Sequence, residues 1–144
     1  MLLSDFLGEF HIQLNCKKTN QVIVGRVINS FILEQQYLYS ILTFNNPNKE
    51  QPPLSQFGYL SQNPHTSEYE NMWVSEISSD REIIFFSGKV ESNDLVLYRY
   101  NENNNPEAKN HISFVNKDQF NSQLFDIKSN QERLKLEAYF KRVT

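Results

Sequence analysis

In two stretches of the chain every second residue is apolar. From Gly8 to Cys16, the positions Phe10, Ile12, Leu14 and Cys16 alternate with Glu9, His11, Gln13 and Asn15. Near the C-terminus, Leu134, Leu136, Ala138 and Phe140 alternate with Lys135, Glu137, Tyr139 and Lys141. A period of two places each set on its own face of a β-strand. The second stretch, NQERLKLEAYFKR, also contains strong helix formers, and its clean alternation decides for strand. Between these ends lie β-branched and aromatic runs: QVIVGRVIN, FILEQQYLYSILTF, EIIFFSGKV, DLVLYRY, HISFV and DQFNSQLFDI. The turn signals NNPNKEQPP, QNPH, SSD, ESND and NENNNP separate them.

About nine strands joined mostly by tight turns indicate an antiparallel meander. A twisted sheet of that length tends to curl, and closing it removes both exposed edges. The pattern therefore predicts an all-β fold with a single domain over residues 1–144, an antiparallel up-and-down barrel of about 8–10 strands. One short helical turn is expected in LLSDFL, with Leu3, Phe6 and Leu7 as its apolar face.

The segment FGYLSQNPHTSEYENMW, residues 57–73, reads as a hairpin turning at Asn63 to Thr66. That turn would set Leu60 opposite Tyr69, Gly58 opposite Asn71 and Gln56 opposite Trp73, with Tyr69, Asn71 and Trp73 on one face. Gly58, lacking a side chain, would leave room beside the rings. A face mixing rings with hydrogen-bonding groups suits a barrel interior that holds a ligand. An aromatic corner whose polar tips reach water or backbone would carry the same residues.

Composition narrows the functional classes. A net charge of −3 gives no basic face for nucleic acid, so no nucleic-acid partner is predicted. The single cysteine, Cys16, has no partner for an internal disulfide; it reads as a packing residue and favours a reducing, cytoplasmic location. The opening MLLSDFLGEF has no basic n-region, and no stretch approaches ~20 apolar residues, so no membrane association is expected.

Three segments resemble an uncharacterised family of lipocalin-like (calycin-type) β-barrels, known as a domain of unknown function. FLGEF is similar to the G-x-W opening of lipocalins, with Phe10 where Trp is usual. VINSFILEQQYLYS is similar to the family's paired-strand motif through Phe31, Leu33, Glu34 and Tyr37, without its Gly-Arg. The third, FGYLSQNPHTSEYENMWVSEISSDREIIFFSG, matches a Gly-Tyr-Asp, Tyr-x-x-x-Trp and later Gly pattern through Gly58, Tyr59, Tyr69, Trp73 and Gly88, with Ser61 in place of the Asp. A later stretch from Asn116 to Arg142 looks like the family's terminal hairpin. The resemblance implies a lipocalin-like barrel and leaves activity open.

Local catalytic signatures are missing: no G-x-S-x-G elbow, phosphate-cradling glycine loop, H-E-x-x-H or cysteine-pair spacing occurs. No cofactor is predicted. His11, His65 and His111 are scattered, with His65 expected in a turn; Glu68, Glu70 and Glu76 show no opposed carboxylate. Arg26 and Arg99 each sit among apolar residues in a strand. Such an arginine faces water, or, inside a barrel, needs an acidic partner such as Glu34 or an anionic ligand.

Three functions fit these features. The first is a small-molecule binding barrel for an apolar or aromatic ligand, with Tyr69 and Trp73 stacking and Asn71, Arg26 or Arg99 orienting a polar end. The second is a non-catalytic interaction module with a solid core, whose surface, including Tyr98 and Tyr100, docks a protein or a second copy as a homodimer. The third is an isomerase or lyase using the barrel cavity.

Overall fold

A computed structural model describes residues 1–75 and 83–144; the SSD turn signal and Glu76 lie outside them. Ten strands follow one another: β1 (Gly8–Cys16), β2 (Val22–Ile32), β3 (Tyr37–Phe44), β4 (Leu54–Gln62), β5 (Tyr69–Ser75), β6 (Ile83–Glu91), β7 (Asp94–Tyr100), β8 (Pro106–Asn116), β9 (Gln119–Lys128) and β10 (Gln131–Arg142). Each pairs antiparallel with its neighbours in sequence, and β10 returns to β1 to close the barrel. The expected all-β up-and-down barrel is observed, and β10 is a strand as its alternation indicates. No helix among the described residues is long and apolar enough to cross a membrane.

Several connections show why these sequences turn where they do. Ser92-Asn93 and Ser129-Asn130 are two-residue loops with both residues at positive φ, the backbone that matches the twist of paired strands. FILEQQYLYSILTF, read as one run, divides: Leu33, Glu34 and Gln35 all adopt positive φ and turn β2 into β3. β8 begins at Pro106, earlier than HISFV suggests; a proline is tolerated as a first strand residue, where its missing N–H breaks no ladder. A register shift between Leu134 and Leu136 puts Leu134 opposite Phe125, out of step with Leu136, Ala138 and Phe140, which stand opposite Leu124, Ser122 and Phe120.

The core fills the barrel with Phe10, Ile12, Leu14, Phe44, Leu95 and Leu97 among its buried members. A 3-10 turn, Leu3–Phe6, closes one end. Its Phe6 ring meets Phe114 and Phe120 edge-on, with centroids 4.9 and 5.2 Å apart. Phe120 stacks on Phe140 at 4.2 Å.

Candidate functional site

Beneath the Phe6 end cap lies an interior cavity of about 80 Å³. Cross-strand register creates its polar wall. Asn29 on β2 pairs with Ser40 on β3, Ser40 with Gly58 on β4, and Gly58 with Trp73 on β5, so one lateral row crosses four strands. The indole occupies the space left at Gly58, where a Cβ would run into the ring. Trp73 Nε1 donates to Asn71 Oδ1 at 2.5 Å, and Asn71 Nδ2 donates to the Tyr59 carbonyl at 2.9 Å. On the opposite wall, Ser122 Oγ donates to Asn110 Oδ1 at 2.6 Å. Leu38, Leu97, Ile112 and Phe140 are among the side chains that give the rest of the lining its apolar surface.

Asn29 stands apart from these bonded pairs in having a fully buried acceptor. Its Nδ2 donates to the Phe6 carbonyl at 2.7 Å, tying the end cap to β2. Its Oδ1 is buried and has no hydrogen-bond partner among the described residues. Leaving a buried acceptor unpaired costs about 1–3 kcal/mol, so the cavity wall presents an unused hydrogen-bond acceptor.

Of the residues expected to bind, Asn71 and Trp73 line the cavity. Tyr69 shares their inward face but packs at the capped end, where its hydroxyl donates to the Met1 carbonyl at 3.1 Å. Arg26 stands on the outer face of β2, paired with Glu9. Glu34, its expected partner, occupies the exposed β2–β3 turn. Arg99 lies at the end of β7 beside a register shift and pairs with Glu107 at 3.1 Å. Thus the structure gathers neither arginine at the cavity. His11 and His65 are exposed, and His111 Nε2 sits 2.7 Å from Asp94 Oδ2.

The hairpin itself is two residues out of the expected register: Gln62 faces Tyr69, Leu60 faces Asn71 and Gly58 faces Trp73. The loop spans six residues because Asn63 Oδ1 accepts the N–H groups of His65 and Thr66 while Asn63 N–H reaches the Glu68 carbonyl. An even shift preserves face, which is why Tyr69, Asn71 and Trp73 still point the same way. Asn29, Ser40, Asn110 and Ser122 were not singled out from sequence. The available signal was a polar residue at core parity, as in Val27-x-Asn29 and Ser40-x-Leu42.

Burial pushes the Tyr69 phenol above its ordinary value, with the Asp5 carboxylate adding to the rise. Stability from the neutral phenol is fully present below the unfolded value near 10.0 and is lost as pH climbs through the higher folded value. Tyr69→Phe is expected to flatten the alkaline limb of a Tm-against-pH profile; an unchanged limb would show that Tyr69 does not titrate with unfolding.

The fold and cavity define the protein's class: a closed ten-strand antiparallel β-barrel with a partly polar interior. It shares this fold with a solved structure described as a de novo design of a fluorescence-activating β-barrel, at TM-score 0.55 and 11% identity, covering 99% of this chain and 100% of that one. No protein-family model matches the chain, and no curated protein matches it.

Proposed function

We propose that this protein is a lipocalin-like small-molecule binding barrel whose guest sits in the interior cavity beside Trp73, Asn71 and Asn29. The observation that carries the reading is the unpartnered, buried Asn29 Oδ1 on the cavity wall. A guest bearing an N–H or O–H donor recovers the free energy that this acceptor forfeits. The indole and the apolar side chains opposite it supply a surface for a flat, apolar edge.

Size narrows the expected apolar or aromatic ligand. A cavity of about 80 Å³ is well below the ~300–1,000 Å³ of ordinary ligand pockets, which limits the guest to a compact molecule with a handful of non-hydrogen atoms. The lining groups are amides, hydroxyls, an indole and hydrocarbon, none of which titrates near neutral pH, and this favours binding over acid–base catalysis.

Native and denaturing mass spectra of protein from its natural host test the reading. A stoichiometric small mass lost on denaturation, and absent from Asn29→Leu, is expected. A bare chain in both spectra, with the emission of the single tryptophan unmoved by small amides and alcohols, would refute it.

A further inference from the structure

The outer wall of the barrel differs between the β1 and β10 pair and the strands β2 to β6. β1 and the part of β10 paired with it present Glu9, His11, Gln13, Glu137 and Lys141 outward, with Tyr139 the one large ring among them. β2 to β6 do not alternate in this way: segments such as SILTF and EIIFF are apolar at both parities. Near-continuous apolar runs belong to strands covered on both faces. The barrel core covers only one.

Register assembles the uncovered positions into two adjacent rows. Ile28, Ile41, Phe57, Val74 and Ile83 stand opposite one another across five strands. Beside them run Tyr39, Tyr59, Met72 and Phe85. Ile28, Ile41, Phe57, Ile83 and Phe85, with neighbouring Tyr37, are each between 37% and 63% exposed. These six side chains alone expose on the order of 600 Å², the upper end of what a monomer shows as one apolar patch. With the half-buried members of both rows, the face approaches the roughly 800 Å² per partner of a stable standard-size interface.

We propose that this face packs against the same face of a second copy, forming a twofold-symmetric homodimer. A closed barrel has no free strand edge, so a copy must dock face to face, as sheets do in a sandwich. The two rows contain no charged residue, and their rim carries both signs: Arg26 beside Glu9, and Glu70 and Lys89. An isologous contact brings each patch onto itself, and a surface of this kind meets its own copy without like-charge repulsion despite the net charge of −3. A hollow of about 450 Å³ lined by Tyr37, Tyr59, Met72 and Phe85, with Ser61 and Glu70 also on its wall, gives the partner's side chains a place to seat.

Sedimentation equilibrium of the full chain, with light scattering, tests this. The wild-type protein is expected to be dimeric, and Phe57→Glu at the centre of the first row to weaken the dimer by about 30-fold or more. Ile83→Lys, at the row's end, provides a second disruption. Both side chains point away from the core, and far-UV circular dichroism with Trp73 emission reports whether each variant remains folded. Val115→Glu, on exposed β8 away from the patch, is expected to leave the dimer intact. A wild-type monomer at about 100 µM, far above ordinary homodimer dissociation constants, would overturn the proposal. So would a dimer broken by Val115→Glu but not by Phe57→Glu, or a monomer that floats with phosphatidylcholine vesicles, which would assign the face to lipid.

Discussion

Gly58→Ala is expected to destabilise the barrel by about 2–3 kcal/mol, the scale of overpacking a filled core. The added Cβ would enter the Trp73 indole and approach the Met72 carbonyl at 2.5 Å. Neither neighbour yields easily: the indole is held by its bond to Asn71, and the carbonyl belongs to the next strand. Urea unfolding should show a lower midpoint with an unchanged slope, because the surface exposed on unfolding is nearly the same. Trp73→Leu separates the two obstacles. In that background Gly58→Ala should cost less by about 1 kcal/mol, a coupling typical of side chains in contact. An equal cost in both backgrounds would mean that the ring is not what Gly58 accommodates, and the cavity wall would need another explanation.

That pair also shows what sequence can carry. Gly58 and Trp73 are recognisable as a small residue and a large ring within one hairpin, and their common face follows from parity alone. Their direct opposition does not, because it depends on a six-residue loop organised by the Asn63 side chain. The closed meander was legible in the alternation of β1 and β10 and in the turn residues. Asn29 was hidden for a different reason. It becomes distinctive only when β2, β3, β5, β8 and β9 bring Ser40, Asn71, Asn110 and Ser122 around one space, and no local pattern encodes that convergence. Of the two positions open to Arg26 from sequence, the water-facing one holds: it stands among apolar residues because the outer face is itself apolar, so its surroundings carried no information about the interior.

Arg142→Met should be comparably severe, with a loss of about 2–3 kcal/mol concentrated at the capped end. The guanidinium lies 4.5 Å over the Phe10 ring and donates to the Leu7 carbonyl, to the Asp5 and Lys117 carbonyls at 3.2 and 3.1 Å, and to Asp118 at 3.1 Å. It thereby ties the N-terminal turn, β10 and the β8–β9 turn into one cap. Gly8 passes beneath it at a φ of 110°, and a Cβ there would lie 2.8 Å from Arg142 Nη1. Methionine keeps the aliphatic stem but none of the donors. Lysine should recover little, since a point charge cannot span acceptors arranged around a planar fork. Hydrogen exchange at residues 5–9 should accelerate in Arg142→Met more than exchange in β3 and β4, because the lost bonds are local to the cap. Uniform acceleration would place Arg142 in the global core instead. Since Phe6 roofs the cavity and Asn29 holds the same turn, the proposed binding role carries a further expectation: loosening this cap should speed exchange of any small molecule held there, linking an arginine outside the cavity to the rate at which the barrel opens.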